Sequence, residues 1–587
     1  MHKLIILMNL LSVNNFSLEL RQDSNWKSIL HRISFEIQKG ETLGIVGESG
    51  SGKSVTALSI MRLIDKKISK INSGNIFFTD KDGKKTLDLL HLSEKQLCKI
   101  RGNKIAMIFQ EPMTSLNPVI KCGKQITEAI LLHNKISKKE AHNQVIELFK
   151  EVMLPQPEKI FDSYPFELSG GQKQRVMIAM AMSCKPDILI ADEPTTALDV
   201  SVQKGIIELI KKLQQKHGMS VIFITHDLGV VAEIADRVIV LFKGEIVETG
   251  TVRSIFNDPK HPYTKGLWAC RPPLNVRLKV LPTVEDFLKS YQKKEEQNID
   301  SVISALTVSE EERRKSHAHI YSHSPLLRIE NLSKRYPIRR KKLFEKKEYF
   351  EALKDVSLEV FEGETLGLVG ESGCGKTTLG RTMIRLIEPT YGKVFYKEED
   401  ITQLSPQKMR YLRKDLQIIL QDPYSSLNQR ITVGSALIEP MKVHRIYSSD
   451  KERKKRAIEL LERVGLNETH FYRYPHEFSG GQRQRISIAR ALAVSPRFII
   501  CDESVSALDV SIQAQVLNLL NELKKEYKFT YIFISHDLSV VKFMSDRMAV
   551  MQNGKIVEFN DADEIYFNPQ TEYSKNLIES IPKGIVI

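Results

Sequence analysis

Two eight-residue runs in this chain have the composition of phosphate cradles. They are Gly47-Glu48-Ser49-Gly50-Ser51-Gly52-Lys53-Ser54 and Gly370-Glu371-Ser372-Gly373-Cys374-Gly375-Lys376-Thr377. Glycines at this spacing let backbone N–H groups curl round phosphate oxygens. Lys53 and Lys376 then neutralise β/γ-phosphate charge, and Ser54 and Thr377 ligate Mg2+. A glycine-rich turn without a ligand is the plain alternative. Two runs in matching context argue strongly against it.

Acids follow at a distance. The runs ILIADE (Ile188–Glu193) and FIICDE (Phe498–Glu503) each place two carboxylates after four apolar residues. That is the pattern of a buried parallel strand with acids at its C-terminal end, the edge where such sheets bind ligands. Asp192 and Asp502 are expected to hold Mg2+ through water, and Glu193 and Glu503 to polarise the attacking water. His226 and His536 follow the β-rich runs 221–225 and 531–535 and read as γ-phosphate contacts. Gln110 and Gln421 end the runs IAMIFQ and LQIILQ, where their amides can orient water and Mg2+.

Two further segments, Ser169-Gly170-Gly171-Gln172 and Ser479-Gly480-Gly481-Gln482, open helical patterns. A serine cap and two glycines at a helix N-terminus offer bare N–H groups to an anion. The chain already has two phosphate loops, so the simplest geometry has each half cap the nucleotide of the other. ATP and Mg2+ are the cofactors this chemistry implies.

The elements that must position these groups come as a duplicated set. Each glycine run follows a short apolar run, TLGIV or TLGLV, and precedes a helical pattern. The glycine runs recur at an offset of 323 (370 − 47), and the acidic strands at 310 (501 − 191). The first half is longer between its lysine and its glutamine, 57 residues against 45. The excess is expected around residues 79–89, whose Asp-Gly stretch reads as a hairpin turn. The halves run over 1–270 and 326–587. Residues 271–325 read as a tether with a helical stretch or two, and the basic run 339–348 as an exposed loop.

The chain has 587 residues, 42% hydrophobic and 27% charged, with a net charge of +14. These are globular values, so fibrous and wholly disordered classes are excluded. The basic excess fits several anionic partners and selects none. Six scattered cysteines form no C-x-x-C pair, which disfavours zinc ribbons, iron–sulfur clusters and disulfide frameworks. No apolar run approaches the ~20 residues of a spanning helix. The strand-like run LLSVNNFSLEL begins at Leu10 and residues 2–7 match nothing, so translation is expected to start at Met8.

Taken together these motifs resemble the ATP-binding-cassette (ABC) ATPases, with A-L-D loops at Ala197–Asp199 and Ala507–Asp509 completing the set. The resemblance covers both halves. It implies an α/β fold with two P-loop nucleotide-binding domains, each a RecA-like core with a helical subdomain and an antiparallel β region. It also implies a head-to-tail sandwich, with Lys53's ATP facing Ser479 and Lys376's ATP facing Ser169. In the family an aromatic residue stacks on adenine. Tyr336 fits in the second half, whereas Leu20 stands at that place in the first, with Trp26 as a substitute.

Finer segments are similar to the peptide/nickel import branch: FQEPMTSLNP, LQDPYSSLNQR, and the tails HPYTKGL and NPQTEYSKNLIESIP. The resemblance implies an importer's ATPase subunit, most simply for di- or oligopeptides, with nickel, glutathione or another small solute as alternatives. Its partners are two permease chains and a solute-binding protein, with no nucleic acid and no span of its own. Its place is peripheral, on the cytoplasmic face of the inner membrane. A soluble tandem cassette acting on ribosomes is the alternative of another class. Such proteins use a long, highly charged linker, whereas 271–325 holds nine basic and eight acidic residues.

Overall fold

The computed structural model describes residues 9–22, 25–83, 85–110, 115–196, 198–293, 298–338, 348–506 and 508–581. The expected start at Met8, Ala197, Ala507 and most of the basic run 339–348 lie outside them.

Each half builds its site on a six-stranded sheet. In the first half the strand order is Glu245–Thr251, Arg237–Phe242, Thr42–Val46, Ser220–Thr225, Ile188–Asp192 and Ile105–Ile108. All neighbours pair in parallel except the antiparallel edge pair Glu245–Thr251 and Arg237–Phe242. The strands TLGIV and ILIAD are buried along their whole length. They lack polar alternation because both faces are covered, one by helices and the other by the antiparallel sheet and the helix after the glycine loop. The second half repeats the sheet, with Thr365–Val369 and Phe498–Asp502 in the corresponding places. The glycine loops and the acidic pairs therefore leave one edge of the sheet, on strands with a single strand between them.

A four-stranded antiparallel sheet packs beside each core. Its strands are Asn25–Gln38, Asn9–Gln22, Ser69–Thr79 and Thr86–Asp88 in the first half. The Asp-Gly turn forms as read: Asp80 N donates to Lys85 O and Gly83 N to Asp80 O. Only part of the extra length lies there, because the strand before it is itself longer, 11 residues against 6.

Helices fill the stretch between the glutamines and the serine-glycine segments: Cys122–His133 and Lys138–Glu151, then Val433–Val443 and Asp450–Arg463. Ser137 with Glu140 and Ser449 with Glu452 form capping boxes that start the second helix of each pair. A glycine sets the packing distance in both. A Cβ at Gly123 would stand 2.1 Å from the Phe161 ring, and one at Gly434 2.4 Å from Phe471.

The segment read as a tether is packed against both halves. Helices Val284–Gln292, Ile299–Leu306 and Glu310–Ile320 fill much of it. Leu278, Leu281 and Val284 are buried in one core with second-half residues such as Leu517 and Leu520. Leu281 and Asn518 exchange two hydrogen bonds, 2.9 and 2.8 Å. Arg277 donates to Ser545 O at 2.8 Å, and Lys542 donates to Leu274 O at 2.5 Å. Arg313 pairs with Asp561 and Asp563. The near-neutral charge count concealed this, because Lys279, Lys289, Arg314 and Lys315 pair with linker glutamates while Arg277 and Arg313 reach across to the cassette.

Arg313→Ala leaves two partly buried carboxylates without their main cation. It is expected to lower unfolding stability by about 2 kcal/mol, below the 3–5 kcal/mol of a fully buried pair because water reaches the group. Urea unfolding of the second half, followed with limited proteolysis at 271–325, measures this.

Candidate nucleotide sites

The glycine loops are shaped for a ligand that only backbone can cradle. Gly52 and Gly375 adopt φ of 107° and 112° just before the helices Lys53–Ile60 and Lys376–Met383. A Cβ there would lie 2.7 Å from Leu30 Cδ2 or 2.6 Å from Ala352 O. Conformation and space thus both demand glycine. Lys53 Nζ donates to Gly47 O at 2.7 Å and Glu48 O at 2.9 Å. Lys376 does the same to Gly370 O and Glu371 O, at 2.6 and 3.0 Å. Both ammonium groups are buried over their own loops, and burial lowers the Lys53 pKa. The lysine donors are thus held on loop carbonyls, from which phosphate oxygens can draw them.

The hydroxyl and the carboxylate assigned to Mg2+ meet in both halves. Ser54 Oγ donates to Asp192 Oδ1 at 3.0 Å and Thr377 Oγ1 to Asp502 Oδ1 at 2.9 Å. Burial raises Asp192 to about 6. In the second half Arg381 stands 3.6 Å from Asp502, where the first half has Leu58.

Glu193 and Glu503 gather the remaining groups. Glu193 Oε2 accepts from Gln110 Nε2 at 3.2 Å and from Thr196 Oγ1 at 2.9 Å, and His226 Nδ1 lies 3.2 Å away. Glu503 Oε2 accepts from Gln421 Nε2 at 2.6 Å, and His536 Nδ1 lies 3.7 Å away. Burial pushes Glu193 up, but the His226 hydrogen bond and charge outweigh it and hold the carboxyl down at about 2. The same partnership raises His226 against its own burial. Both glutamates have φ of 47°, a left-handed conformation uncommon for a side-chain-bearing residue. Such strain, of order 1–3 kcal/mol, persists where surrounding structure fixes it. Here Glu193 N is tied to Ile224 O and Glu503 N to Ile534 O, both at 2.9 Å.

The serine-glycine segments open the helices Gly170–Met182 and Gly480–Leu492, as read. Ser169 and Gln172 close a capping box, and Ser479 and Gln482 close its copy. Gln172 and Gln482, grouped above with the nucleotide contacts, spend their amide oxygens on Ser169 N and Ser479 N, at 3.0 and 3.1 Å. The exposed Gly170 and Gly480 are left facing outward.

The two halves meet at the loops. Ser372 donates to Asp199 Oδ1 through its N–H at 2.9 Å and its hydroxyl at 2.7 Å. Ser201 Oγ donates to Glu371 Oε1 at 2.7 Å. The segment after the first acidic strand therefore grips the second phosphate loop. In the reverse sense, Glu48 of the first loop faces Ser511 and Asp509. A cavity of about 110 Å3 between the halves is lined by both His226 and His536, with Thr195, Ser506 and Arg271. Reading the sequence placed the facing partners at the serine-glycine segments. It missed Asp199, Ser201 and Ser511, although the A-L-D motif marked their position.

Tyr336 is half-exposed at the end of its strand, paired with Phe350 and with Lys334 Nζ 5.2 Å from its ring centroid. In the first half Leu20 pairs with Lys27, while the exposed Trp26 pairs with Arg21, one step along. Neighbouring pairs point to opposite faces of a sheet, so Trp26 does not share the face of Leu20.

Duplicated phosphate loops, acidic strands and facing histidines define a tandem nucleotide hydrolase. The chain belongs to the ABC transporter family of ATP-binding subunits, whose model, "ABC transporter", matches residues 30–196 and again 353–506. Within that family it falls in the peptide/nickel importer branch, since residues 247–296 match "Oligopeptide/dipeptide transporter, C-terminal region". The glutathione import ATP-binding protein GsiA of Escherichia coli O157:H7 is 48% identical over 98% of this chain and 90% of its own length. That of Shigella flexneri is 47% identical with the same coverage. A solved ATP-binding cassette dimer bound to ADP and Pi is 30% identical over 40% of this chain and 98% of its own, with a TM-score of 0.37. The chain is thus an ATPase of a membrane transport system and works with permease chains. Among the described residues no helix is long and apolar enough to cross a membrane.

Proposed function

We propose that ATP bound by Lys53 and Lys376 closes the halves head-to-tail, and that hydrolysis reopens them to drive import by two separate permease chains fed by a solute-binding protein. The observation that carries this is the pair of bonds from Ser372 to Asp199. A phosphate loop bonded to the opposite half feels whether its ATP is present, so binding changes the contact between halves. Ser54, Gln110 and Asp192 would hold Mg2+ in the first site, and Thr377, Gln421 and Asp502 in the second. Hydroxyl, amide and carboxylate oxygens form the hard donor set this ion takes, and bound Mg2+ offsets phosphate charge. Glu193 and Glu503 accept hydrogen bonds from the attacking water, and His226 and His536 orient them and reach the γ-phosphate. Gln172 and Gln482 support the anion-binding turn through their caps. Tyr336 stacks on adenine in the second site.

The solute is inferred to be a small peptide, with glutathione, itself a tripeptide, inside that class. The likeness of residues 247–296 to oligopeptide/dipeptide transporters and the glutathione import relatives support it. The working place is inferred to be the cytoplasmic face of the inner membrane. Uptake of labelled glutathione, a dipeptide and Ni2+ by cells with and without this chain and its neighbouring permeases tests the solute. Uptake of Ni2+ alone would remove the peptide reading.

Tyr424 is a half-exposed aromatic stacked at 5.3 Å on Arg483 of the serine-glycine helix. It is placed to pass motion between a docked permease and the nucleotide. Tyr424→Asp is expected to lower recovery with permease-containing membranes about tenfold, the scale of a lost aromatic anchor. Recovery on ribosomes with no permease would favour the translation-linked reading instead.

A further inference from the structure

Each phosphate loop is held from behind by a tyrosine of the tail that follows its own core. Glu48 N–H donates to Tyr263 Oη at 2.9 Å, and Glu371 N–H to Tyr573 Oη at 3.0 Å. The tyrosines lie 310 residues apart (573 − 263), the offset of the acidic strands. Both sit at the second position of a short helix, after the caps His261 and Thr571. The Tyr263 ring is fully buried against Phe242, with centroids 4.1 Å apart. The tail that supplies it is the segment matched by the oligopeptide/dipeptide C-terminal model.

Glu48 and Glu371 are the residues at which the chain turns from the strand into the loop. An N–H bonded to a tyrosine is not one of those that grip phosphate. Its bond instead sets the direction in which the following N–H groups point. The same short stretch is held from the other side by the opposite half, through Ser201 on Glu371 and Asp199 on Ser372. The first turn of the second loop is therefore fixed between its own tail and its partner cassette.

We propose that Tyr263 and Tyr573 are positioning residues that hold the phosphate loops in their ATP-binding shape, and that the tails act as clamps on the loops. This rests on the reading of both glycine loops as phosphate cradles. Without the hydroxyl the loop is free to take other shapes, and the apparent affinity falls by the fraction that remains competent. Hydrolysis of ATP once bound is unchanged, because the tyrosines touch none of the reacting atoms.

The test is the full chain carrying Tyr263→Phe and Tyr573→Phe together, which removes two hydroxyls and keeps both rings. The KM for ATP is expected to rise about tenfold, the scale of one hydrogen bond lost from each loop, with kcat changed less than about twofold. The unfolding midpoint of the nucleotide-free variant should move by less than about 4 °C, the size of a change near 1 kcal/mol in a domain of about 250 residues. An unchanged KM, or a fall in kcat at constant KM, overturns the proposal. So does a KM shift that comes with a larger drop in the midpoint, which marks general loss of structure. Lys53→Ala with Lys376→Ala is the separate control. If that chain still binds ATP, the cradle reading itself fails, whatever the tyrosines do.

Discussion

Glu193→Gln or Glu503→Gln, each alone, is expected to cut steady-state ATP turnover by roughly 10²–10⁴-fold, the usual worth of a positioned base. Glutamine keeps the size of the side chain and can still meet Gln110 and Thr196, or Gln421. It loses the charge that holds His226 or His536 and that polarises water. One substitution suffices because the halves are linked at the loops, by Ser372 to Asp199 and Ser201 to Glu371. ATP trapped in one sandwich keeps the other from reopening. Each variant should therefore retain ATP, measured as unhydrolysed nucleotide recovered with the protein. Steady-state activity left intact by either change would contradict two active sites. The two glutamates differ in one support. Thr196 bonds the Glu193 carboxylate, whereas Ser506 donates to the Glu503 backbone carbonyl.

Ser479→Arg is expected to stop hydrolysis of the ATP held by Lys53, 426 residues away in sequence (479 − 53). The arginine side chain fills the space at the helix N-terminus where N–H groups meet the γ-phosphate. Loss of such preorganised donors costs on the order of 10²-fold in turnover. The effect is not simple unfolding. Ser479 caps its helix through Gln482 N at 3.3 Å, and a lost cap is worth about 1 kcal/mol. Ser479→Ala, which loses the cap without adding bulk, should retain most of the activity. If Ser479→Arg impaired only the ATP held by Lys376, in its own half, the head-to-tail arrangement would be wrong.

The loops, the acidic strands and the histidines were legible because each is a local pattern. TLGIV and ILIAD are short apolar runs that end in chemistry, and repetition at near-constant offset excluded chance. Contacts between halves were less legible. Asp199 reaches Ser372 through the relative placement of two cores, which no run of residues encodes. The docked linker was missed because Leu278, Leu281 and Val284 are three scattered apolar residues, too short a run to mark a buried face, and what they meet belongs to both halves. The tail tyrosines did carry a signal. Both lie in tail segments singled out on family likeness, at the repeat offset, but a lone tyrosine shows nothing of its partner.

The central claim is that each ATP is shared by the two halves. It is tested most directly with an ATP analogue bearing a photoreactive group on its γ-phosphate, bound to a chain carrying Lys376→Ala so that only the Lys53 site is filled. After irradiation, peptide mass mapping locates the label. The account predicts label on the segment Ser479–Gln482 of the second half. Label confined to the first half, on Ser169–Gln172 or its neighbours, would contradict it.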